Sequence, residues 1–163
     1  MRGWHGPDTR NDVKATYAAD VFSFILQQKA SKFQQEMVDS GLAFFINVGY
    51  QTCKYTGPIN IVMVPNPTKI KEAIAKLDEQ ISLWTSDSYF TDEQLQTAKV
   101  QLAIDDARGR EQTSGFVHTV GFWWASATID YYTNYVENLQ KVTRDDIKQY
   151  VTRYIKDKPS VTG

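Results

Sequence analysis

Apolar side chains recur at helical spacing from about Asn11 to Gln28, where Val13, Tyr17, Ala18, Val21, Phe22 and Ile25 fall on one face. A second, shorter helix is predicted from a cap at Ser31 to Val38. Asp39-Ser40-Gly41 stops it, and Gly41 suits the left-handed turn that ends many helices. The pattern then changes. Leu42–Thr52 and Ile59–Val64 are rich in Phe, Ile, Val and Tyr and flank the turn Tyr55-Thr56-Gly57-Pro58, which predicts a long antiparallel hairpin ended by Pro65-Asn66-Pro67. Thr68 is expected to cap a helix whose apolar face is Ile70, Ala73, Ile74, Leu77, Ile81 and Trp84. Thr91-Asp92-Glu93-Gln94 reads as a capping box that opens a helix carrying Leu95, Ala98 and Leu102, with Gly109 as punctuation beyond Leu102. Phe116–Ala127, with its aromatic and small residues, predicts a buried helix, and a further helical run crosses Tyr131–Leu139. Thr143 caps the last helix, whose stripe is Ile147, Tyr150, Val151, Tyr154 and Ile155.

Short strands are expected at both ends, at Arg2–His5 and Ser160–Thr162, each reading as a truncated strand. Helix, hairpin and a string of helices between them make an α+β fold, an antiparallel sheet covered on one face by a layer of helices. Residues 1–163 read as a single domain. A chain of this length buries roughly two thirds of its unfolded surface, so it needs no metal or disulfide to fold.

The net charge is −1, which leaves no electrostatic footprint for nucleic acid. No apolar run approaches the roughly 18 residues of a membrane segment. Cys53 is the single cysteine, so an internal disulfide is excluded, and it reads as a small strand residue. None of these features names a compartment.

Candidate chemistry is sparse. A zinc-binding H-x-x-E-H helix is absent, and the two histidines, His5 and His118, are too far apart to share a helical turn. His118 reads as a partly buried packing residue. No G-x-S-x-G, phosphate loop or dinucleotide fingerprint occurs. Asp105-Asp106 reads as a solvated face and Asp145-Asp146 as a helix N-terminus, while Trp123-Trp124 reads as core rather than as a peptide groove. On these residues the chain holds no catalytic group, no metal ligands and no cofactor, and it is expected to fold without cleaving peptides.

Four segments in order carry a resemblance. Phe33–Phe45, FQQEMVDSGLAFF, is similar to the helix-to-strand junction R-E-x-x-G-L-A-Y of the pitrilysin/insulinase-type zinc peptidases. Trp4-His5-Gly6-Pro7 followed by Tyr17-Ala18-Ala19-Asp20-Val21 resembles the first strand and helix of that family's second half-domain. Phe90–Leu95 with Ala98-Lys99 resembles T-x-E-E-L-x-x-A-K, and Val142–Ile147 resembles V-T-x-E-D-I before the final helix.

The resemblance implies most of one half-domain of a longer protein: the non-catalytic, C-terminal-type half of a zinc metalloendopeptidase that degrades or processes peptides in a clamshell chamber. Zinc is then a cofactor of the parent protein, supplied by another half or by a co-encoded zinc-binding subunit. The implied partners are that half and a peptide substrate, with self-association through an incomplete sheet. The alternative is a catalytically inactive homologue that serves as a scaffold or binds partners. The family's substrate-contacting arginine and tyrosine fall on Met37 and Phe44, which are the candidate substrate contacts. Met37 donates no charge-assisted hydrogen bond and Phe44 has no hydroxyl for an oxyanion.

Overall fold

A computed structural model describes the backbone of residues 1–111 and 113–163 and the side chains of 1–111 and 116–163. Strand β1 (Arg2–Gly6) leads through a turn to helix α1 (Val13–Gln27). The turn is built by Asp8, whose carboxylate accepts the backbone N–H groups of Arg10 and Asn11, and Asp12 caps α1 by accepting from the Ala15 N–H. The short helix α2 (Lys32–Gln34) starts where expected, on Ser31 Oγ, and runs into a π-helical turn over Gln35–Asp39. Nothing in the spacing of apolar residues signals that turn, in which the Ser40 N–H reaches the Gln35 carbonyl at 3.1 Å. Gly41 ends it at φ +74°, the left-handed conformation a side chain would resist.

The predicted hairpin is present as β2 (Ala43–Tyr50) and β3 (Gly57–Pro65). With β4 (Val161–Thr162) the sheet is antiparallel in the order β2-β3-β1-β4, so the first strand lies inside the sheet. A Cβ at Gly57 would lie 2.5 Å from the Pro7 carbonyl and from the Tyr50 ring, so the hairpin can close against the β1 turn only with glycine there. Cys53 lies in the connection beyond β2 rather than in a strand, and its carbonyl accepts the Thr9 N–H.

Helices α3 (Ile70–Leu83), α4 (Asp92–Glu111), α5 (Thr113–Ser126), α6 (Ile129–Thr133), α7 (Tyr135–Gln140) and α8 (Arg144–Tyr154) complete the chain. The box at Thr91 and Gln94 closes reciprocally, at 3.0 and 3.1 Å. Thr143 and Asp146 close a second one. Thr68 does not cap α3; its hydroxyl and N–H bond to Asn66, and the helix starts after Lys69. Gly109 lies inside α4 rather than at a break.

Trp84 forms the centre of the core, edge-on to Phe22 at 5.3 Å and to Phe33 at 5.6 Å, with Ile25, Ile59, Ile61 and Ile147 also buried. One expectation fails here. Helix α5 is not buried: Val117 is 67% and Trp124 74% exposed, and His118 is exposed as well. Of the tryptophan pair only Trp123 packs inward, stacking on Tyr131 at 5.0 Å. An aromatic-rich helix of this kind has the composition of a core segment without its geometry.

Candidate functional site

The helices cover one face of the sheet. Ile46, Val48, Ile59 and Ile61 point to that face and are buried. Side chains alternate along a strand, and the other face keeps Val62 and Val64 exposed, with Asn47 and Asn60 between them. At the start of β2 Ala43 pairs with Pro65 and Phe45 with Val64, so Phe44 is the extra residue of a bulge. The bulge leaves two consecutive aromatic rings in solvent, Phe44 at 67% and Phe45 at 51% exposed. None of these six residues carries a charge. The result is an apolar, uncharged surface on an open sheet face.

Met37 and Phe44 therefore sit in different places. Met37 lies in the π-helical turn with 0% of its surface exposed, as part of the core. Phe44 stands on the open face. The fold does not bring the two candidate contacts together on one surface. Neither lines the cavity of about 600 Å³ that lies beside β1 and β4, between Trp4, His5, Asn60, Tyr154 and Lys158. Phe45, Val62 and Val64 are not singled out by sequence reasoning. Their signal is present all the same: apolar residues on both alternations of a strand mean that both faces are apolar, not that both are covered.

A second cluster is likewise missed from sequence. Asp20 sits on α1 between the core positions Ala19 and Val21 and accepts the Tyr135 hydroxyl at 2.8 Å. Tyr17 and Tyr131 stack at 4.9 Å beside it, and Tyr131 shares a 2.8 Å hydrogen bond with Thr16. Burial pushes the Asp20 carboxyl up to about 7, and the Tyr135 hydrogen bond, which favours the charged form, offsets only part of this. An acid within an apolar helical stripe is the sequence signal that points to it. Lys99 is buried in a different way. Its ammonium donates to the Gln140 carbonyl at the end of α7, 3.0 Å away, and burial lowers its pKa.

A zinc ion does not fit this chain. His5 is on β1 opposite Pro58 and His118 is on the exposed side of α5, and among the described residues no three His, Cys, Asp or Glu side chains converge on a possible metal position. No helix among the described residues is long and apolar enough to cross a membrane.

Residues 1–102 match the family described as the peptidase M16 inactive domain. No curated protein matches the chain by sequence. Among solved structures, a protease from Helicobacter pylori superimposes with a TM-score of 0.84 at 20% identity, over 98% of this chain and 38% of that one. The inactive peptidase domain of a proposed zinc protease from Bordetella parapertussis gives 0.83 at 13% identity, over 98% and 86%. A peptidase M16 inactive domain from Pseudomonas fluorescens gives 0.78 at 16% identity, over 98% and 38%. The chain thus spans less than half the length of the first and third of these proteins. The likeness extends beyond residue 102 to nearly the whole fold.

Proposed function

The chain belongs to the peptidase M16 inactive-domain family, and from that membership we propose that it is the non-catalytic half of a zinc metalloendopeptidase whose metal is held by another half or subunit. The open sheet face faces the peptide, and Phe44 contacts it as an apolar wall. The observation that carries this reading is the exposed Phe44–Phe45 bulge on an uncovered, uncharged face. A phenylalanine there can hold an extended peptide by apolar contact but cannot stabilise an oxyanion. Its contribution is binding and orientation, with the chemistry supplied elsewhere.

The test is reconstitution. The partner bearing H-x-x-E-H, from the same reading frame or a neighbouring gene, is assayed on quenched peptides with and without this chain. Neither component alone is expected to turn over substrate, while the mixture cleaves peptides and loses activity with a chelator. Phe44→Ala is expected to raise KM more than it lowers kcat. Turnover indifferent to the presence of this chain would overturn the reading.

A second reading has its own support. Met37 replaces an arginine in the family pattern and lies in the core, so that position offers the peptide neither charge nor contact. This favours an inactive, partner-binding homologue. Its signature would be stable assembly with the zinc-bearing protein and no gain in turnover.

A further inference from the structure

Strand β2 is one edge of the sheet. The Gln51 N–H donates to the Pro58 carbonyl at 3.2 Å, and antiparallel partners alternate, so Asn47 and Gly49 turn their backbone groups to β3 while Ile46 and Val48 turn theirs to the free edge. The strand, AFFINVGY, has no charge and no proline. An edge of that composition is a template on which another strand can pair. Two side chains occupy it. Gln27 Nε2 donates to the Val48 carbonyl at 3.0 Å, and Gln34 Nε2 donates to the Ile46 carbonyl at 3.3 Å. The same Gln34 nitrogen also reaches the Leu26 carbonyl at 3.2 Å, so its two N–H groups join the end of α1 to the sheet edge. Amide side chains two residues apart along the edge take the place that the N–H groups of an added strand would take.

We propose that Gln27 and Gln34 are guards that keep the free edge of β2 from pairing with β2 of a second copy of this chain. The pairing they prevent is self-complementary. With two strands antiparallel about Asn47, Ile46 of each copy lies opposite Val48 of the other. Aliphatic residues then face aliphatic residues, and no like charges meet on either face. The bulge at Phe44 reinforces the guard by bending the start of the strand out of register.

Sedimentation over a range of concentrations tests this on the parent chain and on Gln27→Met/Gln34→Met, which keeps side-chain bulk and removes both donors. The parent is expected to be monomeric. The double variant should associate at concentrations at least about tenfold lower, with amide exchange at Ile46 and Val48 slowed in the associated form. Gln27→Met alone frees one carbonyl and should fall between the two, which keeps the test valid if the double variant fails to fold. Three results would overturn the proposal: a folded variant as monomeric as the parent, association without protection of the Ile46 and Val48 amides, or a parent already paired through β2.

Discussion

The two faces of the sheet are built from the same strands and much the same residues, yet they do different work. On the helical face Ile46, Val48, Ile59 and Ile61 are sealed beneath α1 and its neighbours. On the other face Phe44, Phe45, Val62 and Val64 are just as apolar and stay in water. Burying one such side chain fully is worth about 1.5–3 kcal/mol, and the open face gains little of that from its own chain. Apolarity therefore separates into two uses. One set of residues holds the fold, and the other is free for contact with something else.

The largest expected effects lie on the sealed side. Trp84→Ala removes the ring that Phe22 and Phe33 pack against and should destabilise the chain by about 3–5 kcal/mol in denaturant titrations. Met37→Arg would place an unpaired charge at a fully buried position and should abolish cooperative unfolding or cost at least as much. If Met37→Arg melted like the parent, the separation of Met37 from Phe44 would collapse.

Asp20 tests the sealed side through pH. Its folded pKa, raised to about 7 by burial, lies above the unfolded value, so the folded chain binds the proton more tightly. Stability is then highest below the unfolded pKa, near 4, and is lost as pH rises through about 7. The loss should be on the order of 2 kcal/mol, discounted for the water that reaches the carboxyl edge. Melting curves between pH 5 and pH 8 measure it, and Asp20→Asn should flatten the slope in that interval. A slope unchanged in Asp20→Asn would locate the titration elsewhere.

The smallest effect is expected on the open face. Phe44→Tyr and Val62→Thr should each stay within about 0.5 kcal/mol of the parent by thermal melting. A drop of several kcal/mol in either would mean that the open face is packed after all.

Most of the fold is legible from spacing and caps. The α1 stripe, the hairpin, the reciprocal bonds of Thr91 with Gln94 and the cap at Thr143 all occur where the residues placed them. The candidate site is less legible. Alignment on Gly41-Leu42-Ala43 picks out Met37 and Phe44 but cannot say which way each faces. A π-helical turn lies between Ser31 and Gly41, and its extra residue per turn rotates Met37 into the core. No residue type announces such a turn. Gln27 and Gln34 are invisible for a similar reason, because amides on a helix surface look like a solvated face until the strand edge beneath them is known. Helix α5 misleads by composition, since its rings satisfy a hydrophobic count while Trp124 and Val117 point outward.

The order β2-β3-β1-β4 sets how the chain can reach this structure in time. Strand β1 pairs with residues 57–61 on one side and with residues 161 and 162 on the other. The β2–β3 hairpin needs only a short loop to close, whereas β1 must wait for segments far along the chain and bear the entropy of closing those loops before its ladders form. Refolding should accordingly show the hairpin amides protected early and those of β1 late. For that interval Trp4 and the strand around it remain unpaired, and this stage, rather than the finished fold, is where the chain depends most on dilution or on chaperones.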